Sequence, residues 1–159
     1  MRLFQSLLPG RQITALRDVS LEELAPHLEK LPERVARRVR HVVSENERVL
    51  QSVQALRGGD METFGWLMYQ SHLSLRDDFG VTVPDVDHLI ELARARPWVV
   101  GSRRTGGGFG GSTVHLVQTE DVGRFGRDVV ERYMAETGHN APMYVCRAVS
   151  GVDELTLSA

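Results

Sequence analysis

The chain has 159 residues, 42% of them hydrophobic and 25% charged, with a formal net charge of -2. That length holds one domain, or one domain with a helical extension, and a core that needs no disulfide or metal staple. The charge balance lacks the basic excess of a nucleic-acid footprint, the opening MRLFQSLLPG is too short an apolar run for a secretion signal, and no segment is apolar for long enough to span a bilayer. A single cysteine, Cys146, excludes an internal disulfide; within YVCRAV it reads as a buried, inert thiol, and the expected location is the cytoplasm.

In chain order, RQITALRDV near residues 11–19 offers a weak edge strand. Ser20 and Glu23 spell a capping box ahead of a short helix with Leu21, Leu24 and Leu28 on one side. Pro32 opens a helix of about six turns in which Val35, Val39, Val42, Asn46, Val49, Val53 and Leu56 recur every three or four residues. On that pattern Asn46 is a hydrogen-bonded core polar group and the arginines of RVARRVR form a solvated face. Gly58 and Gly59 end this helix. Asp60 caps the next, which carries Phe64, Leu67, Met68, Ser71 and Leu75 and stops at Gly80, so the two pack as an antiparallel hairpin. Pro84 opens a fourth helix with Val86, Leu89, Ile90 and Ala93.

Beyond Pro97 the hydrophobic period shortens. Residues 98–102 and 112–118 read as strands flanking a glycine tip. Thr119 caps a last helix carrying Val122, Phe125, Val129, Val130, Tyr133 and Met134 that ends at Gly138, and MYVCRAV at 143–149 reads as a third strand. The predicted class is α+β: a small, mostly antiparallel sheet covered by helices, with a helical hairpin before it.

The tip, GGGFGG at 106–111, satisfies the spacing GxGxxG through Gly106, Gly108 and Gly111. A dinucleotide site needs a helix after the glycines, but a strand follows. A Walker loop needs Gly-Lys-Ser/Thr, and a protein-kinase loop needs a lysine on the next strand; Lys30 is the chain's only lysine. Glycines of this kind let a backbone adopt positive φ and turn amides toward an anion, and a flexible hairpin tip accounts for the spacing equally well.

VVGSRRTGGGFGGSTVHLV resembles the third conserved motif of the galactokinases, members of the GHMP small-molecule kinase family. Residues 37–93, including SHLSLRDDF and the proline-aspartate-leucine pattern after it, resemble the stretch upstream of that motif. YVCRAVSGV resembles the family's closing strand, so the likeness runs from Ile13 to Val152. The resemblance implies a single GHMP-kinase C-terminal, ferredoxin-like domain over residues 1–159, helical over about 20–96 and strand-loop-strand-helix-strand over about 97–150. It implies phosphoryl transfer from ATP, with Mg²⁺, to galactose in a cleft between two domains. Thr105, Gly106, Gly107, Gly108, Phe109, Gly110 and Gly111 would line that cleft.

The family's sugar signature, phosphate loop, catalytic aspartate and arginine partner have no counterpart in the chain. No catalytic residue is assigned, no cofactor is expected to bind tightly, and no kinase activity is expected of the chain alone. The expected partner is a separate N-terminal kinase half or a second copy; the alternative is a stand-alone, non-catalytic binding or regulatory module that kept the fold. Arg104 stands where the family usually has methionine. Its guanidinium needs solvent and an anion, or an acid. Ser112, where cysteine is common, is nearly isosteric. Asp77 and Asp78, at a helix C-terminus, call for partners such as Arg76 or Arg103, a structural role that extends to His72. His27, His41, His88, His115 and His139 lack metal-ligand spacing and read as surface or packing residues.

Overall fold

A computed structural model describes residues 10, 12–107 and 111–149. The capping box forms as the sequence spells it: the amide of Glu23 donates to Ser20 Oγ at 3.2 Å and the amide of Ser20 to Glu23 Oε2 at 2.9 Å. They open α1 (Leu21–Leu24), which continues as a 3-10 helix to Lys30. No strand forms over the described part of RQITALRDV. Asp18 accepts from the amides of Thr14 and Ala15 and folds the segment into a 3-10 turn, Leu16–Asp18.

The long helix α2 (Glu33–Gly58) starts after Pro32 and ends at Gly59 in the left-handed region. Asp60 accepts from the Thr63 amide at 2.9 Å and opens α3 (Met61–Ser74), which widens into a π turn over Leu75–Phe79 and stops at Gly80. Arg37 and Arg38 donate to the backbone carbonyls of Asp77 and Asp78, and Arg40 pairs with the Asp78 carboxylate at 2.9 Å. These three arginines, read as a solvated face, instead hold the C-terminal carbonyls of the neighbouring helix, where the macrodipole favours cations. They also fix the hairpin as antiparallel, since the start of α2 meets the end of α3.

α4 (Pro84–Arg94) buries Val86, Ile90, Leu92 and Ala93. After it, β1 (Val99–Arg104) and β2 (Thr113–Val117) pair antiparallel, with Ser102 opposite His115, Arg104 opposite Thr113 and a bulge at Val100. The last helical stretch is a 3-10 turn (Thr119–Asp121), then α5 (Val122–Phe125), a π turn (Gly126–Glu131) and α6 (Arg132–Thr137), closed by Gly138. Thr119 lies inside that first turn and caps nothing.

Two apolar clusters result. Ile13, Val19, Leu24, Leu31, Ala36, Val39 and Val43 join the N-terminal turns to the first half of α2. Leu92, Ala93, Trp98, Phe125, Val129, Val130 and Tyr133 join α4, the hairpin and the last helix. The buried stripe of α2 is rotated from the sequence reading: Ala36, Val39, His41 and Val43 turn inward, Asn46 is exposed, and the second half leaves Val49, Val53 and Leu56 in solvent. Among the described residues the sheet has two strands. The strand expected at 143–149 is not formed; Tyr144 is 81% exposed, and Cys146, expected to be buried, is exposed too. β propensity describes fitness for a half-buried pleated surface, and the described residues offer this segment no neighbouring strand. No helix among the described residues is long and apolar enough to cross a membrane.

Candidate functional site

The glycine tip is carried by a hairpin that is itself set by a close approach to α3. Gly65 and Gly101 face each other: a β-carbon on Gly101 would lie 2.7 Å from the Gly65 Cα, and one on Gly65 only 1.8 Å from the Val100 carbonyl oxygen. Two side-chain-free positions thus let helix and strand backbones touch. At the root of the tip the Thr105 amide donates to the Ser112 carbonyl at 2.8 Å, and Gly106 (φ 83) and Gly111 (φ 107) make the turn in conformations that favour glycine. Thr105, Gly106, Gly107 and Gly111 are exposed at the end of the hairpin, while Gly108, Phe109 and Gly110 lie outside the described residues.

Arg104 is 3% exposed. Neither of the two arrangements expected of it is found: its Nη2 donates to the carbonyls of Thr105 (3.2 Å) and Gly106 (2.9 Å), so the guanidinium turns back onto the loop that follows it. On the same face His115 shares hydrogen bonds with Ser102 Oγ and Thr113 Oγ1, both 2.8 Å, and its ring lies 4.9 Å from that of Phe125. Burial pushes the His115 imidazole down to about 4, so it is neutral at physiological pH.

The opposite face of the hairpin carries Arg103, Val114 and Leu116 toward α2 and α3. There Glu45 on α2 accepts from Ser71 Oγ at 2.5 Å and Arg48 Nε at 2.8 Å, and lies 3.7 Å from Arg103 Nη1. Burial pushes the Glu45 carboxyl up, but the bonds from Ser71 and Arg48 and the nearby positive charges outweigh it and hold the group below the usual range. Sequence reading missed this cluster. Glu45 and Ser71 are 26 residues apart on different helices, and nothing local pairs them. Beside the cluster, α2, α3 and β2 enclose an open, largely apolar groove of about 400 Å³. A smaller cleft of about 250 Å³ borders Trp66, Tyr69 and Arg94. At its wall Tyr69 donates to Glu91 at 2.6 Å, and Arg94 lies 4.0 Å over the Tyr69 ring.

The polar residues of SHLSLRDDF make ion pairs within the fold. Asp77 pairs with Arg76, as expected, and Asp78 with Arg40. His72 is fully buried, 3.3 Å from Asp87, and burial pushes its pKa down. Of the other histidines, His41 bonds Ser74 at 2.9 Å, His88 meets Glu136 at 2.7 Å and His139 meets Asp85 at 3.0 Å.

A strand pair with a glycine tip, backed by a long helical hairpin and a C-terminal helix, defines a recognisable class. The model of the family described as GHMP kinases C terminal matches residues 52–136, and the chain belongs to that family. More particularly, the chain is homologous to galactokinases and matches their C-terminal part. It is 51% identical over 152 residues to the galactokinase of Roseiflexus sp. (strain RS-1), a match covering 96% of this chain and 38% of the relative. It is 48% identical over 141 residues to the galactokinase of Chloroflexus aggregans, covering 89% of this chain and 36% of the relative. The crystal structure of Lactococcus lactis galactokinase complexed with galactose superposes with a TM-score of 0.83 at 35% identity, over 90% of this chain and 36% of that one. The chain thus spans less than two fifths of the length of these relatives.

The family implies ATP and Mg²⁺, and of these only a metal-ligand set can be sought among the described side chains. Mg²⁺ takes oxygen ligands, and no group of three or more His, Cys, Asp or Glu side chains comes together among them. The guanidinium at the loop root is engaged with carbonyls, and Lys30 lies in the N-terminal turns near His27.

Proposed function

We propose that the chain is the C-terminal wall of a galactokinase-type active site, and that phosphoryl transfer from ATP to galactose in the cytoplasm requires it to meet an N-terminal part of the same kind of kinase. The observation that carries this reading is the near-complete homology of the chain to barely two fifths of a galactokinase. Phosphoryl transfer depends on positioning and on neutralising charge across the transferred group; no metal-ligand cluster occurs among the described residues, and Arg104 at the loop root is engaged with loop carbonyls. Alone, the chain is catalytically incomplete. Thr105, Gly106, Gly107 and Gly111 present a close-approach backbone surface to the cleft, and Arg104 holds the near end of that surface in place.

The test is complementation. Co-expression with the preceding part of the Roseiflexus galactokinase is expected to give ATP- and galactose-dependent phosphate transfer that neither part gives alone. Absence of any gain, with both parts soluble, overturns the reading. Calorimetric binding of ATP, ADP or galactose to the chain alone, without turnover on mixing, would establish a stand-alone binding module in its place.

A further inference from the structure

Arg104 is a buried cation without a counter-charge. It is 3% exposed, its Nη2 donates to the carbonyls of Thr105 at 3.2 Å and Gly106 at 2.9 Å, and among the described residues no carboxylate pairs with it. A buried charge is normally balanced by an opposite one, so the loop root carries an unbalanced positive charge.

The two carbonyls decide what that charge does. Every peptide bond among the described residues is trans, and in a trans peptide the N–H points away from the C=O of the same unit. The Thr105 carbonyl shares its unit with the Gly106 amide, and the Gly106 carbonyl shares its unit with the Gly107 amide. Turning both carbonyls onto the guanidinium therefore turns both amides away from it, to the exposed side of the tip. The left-handed φ of 83 at Gly106 is the bend that lets two consecutive carbonyls face one side. Neither amide has a hydrogen-bond partner among the described residues, whereas the Thr105 amide before them is used across the hairpin, on Ser112. The buried charge polarises both peptides in the same sense, oxygens toward the guanidinium and hydrogens toward solvent. Successive amides turned to one side in this way make an anion-binding concavity.

We infer that the Gly106 and Gly107 amides form a binding site for a phosphate oxygen, and that Arg104 is the positioning residue that sets this site without touching the ligand. The inference rests on the proposed function only for which phosphate arrives, the nucleotide's or the phosphorylated sugar's; the site itself belongs to this chain. It also gives a use to the departure from the family pattern, because a methionine at position 104 has no donor with which to hold two carbonyls.

The test follows the backbone amide resonances of the isotopically labelled chain while inorganic phosphate is added, against sodium chloride at matched ionic strength. For the wild type, saturable shifts centred on Gly106 and Gly107 are expected, with a dissociation constant in the millimolar range. Arg104→Met is expected to weaken that binding about tenfold. Arg104→Gln keeps an N–H donor for a carbonyl but no charge, and is expected to fall between the two. Both variants are expected to keep the wild-type spectrum outside residues 103–114, which separates loss of the site from loss of the fold. Absence of saturable shifts at Gly106 and Gly107 in the wild type overturns the site. Unchanged phosphate affinity in Arg104→Met overturns the role of Arg104. Shifts centred instead on Arg48 and Arg103, the guanidinium groups around Glu45, assign the anion elsewhere and overturn both.

Complementation is scored separately. A chain that binds phosphate here but gives no transfer with the preceding part of the Roseiflexus galactokinase keeps the site and loses the proposed function. Where transfer occurs, Arg104→Met assigns the phosphate. A severalfold rise in KM for ATP at unchanged KM for galactose puts the nucleotide's phosphate on the amides, and weaker inhibition by the phosphorylated sugar alone puts the sugar's there. No change in either overturns the use of the site in the reaction.

Discussion

Gly65→Ala gives a sharp test because its two physical effects have opposite signs. In an open helix interior, replacing glycine by alanine stabilises by about 1 kcal/mol, since glycine loses more backbone freedom on folding. Here the new methyl would sit 1.8 Å from the Val100 carbonyl oxygen and 2.5 Å from its carbon, where ordinary contact begins near 3.4 Å. The obstacle is backbone on a strand held by β2, so no side-chain rotation relieves it. Helix and strand must separate by about 1.5 Å, which loosens Leu67 and Met68 on the same turn and forfeits much of their dispersion energy. Overpacking of a core costs about 1–3 kcal/mol and more when backbone must move. The 1.8 Å approach to fixed backbone puts the cost at the upper end of that range; less the helix gain, it leaves a net loss of about 2 kcal/mol, a fall in Tm of about 4–8 °C for a domain of this size. Urea unfolding followed by circular dichroism measures it. A neutral or stabilised Gly65→Ala variant would refute the close approach of α3 to β1, and with it the placement of the hairpin.

Arg104→Met removes a buried cation whose two carbonyl partners are on exposed residues and can take water instead. Global stability should change by less than about 1 kcal/mol, while amide exchange across residues 105–112 speeds up severalfold; slower or unchanged exchange would exclude the staple. His115 has a folded pKa of about 4, below the usual 6.5, so its share of stability is complete above pH 6.5 and is lost as pH falls toward 4. That share is at most about 3 kcal/mol. The gap in urea stability between wild type and His115→Asn should therefore shrink across this window, and a constant gap would contradict the burial of the ring. Glu45→Gln should cost about 1 kcal/mol at pH 7 through the weakened bonds from Ser71 and Arg48. Because the folded Glu45 pKa lies below the usual range, that loss should disappear as pH falls through it; equal cost at pH 7 and pH 3.5 would show that charge plays no part.

Punctuation was legible in the sequence because it is local. The Ser20 and Glu23 box, the Asp60 cap, Pro84 at a helix start and the glycines that end helices each act within a turn of their own position, and each sits where the spacing puts it. The hairpin was legible as well, from two short extended runs around five glycines. Pairings over distance were not. Nothing near Arg37 to Arg40 announces that their partners lie about 40 residues on, at the end of another helix. Arg104 defeated the reading because it weighed only acids and anions, whereas two loop carbonyls within reach satisfy the guanidinium.

The two largest departures share a cause. The stripe of Val49, Val53 and Leu56 and the segment MYVCRAV are both written as core, one with helical and one with strand character, and both are exposed. Hydrophobic patterning records which surfaces a sequence has been shaped to bury; it does not record which molecule or segment buries them. Val49, Val53 and Leu56 line the groove, and Leu50 beside them is exposed as well. The sequence is thus consistent with a body larger than the described fold. The same logic gives a final expectation: if the groove is covered by a partner, hydrogen exchange in residues 49–56 should slow when the preceding part of a galactokinase-type chain is present, and exchange in residues 36–43, where Ala36, Val39 and Val43 are already buried in the N-terminal cluster, should not change.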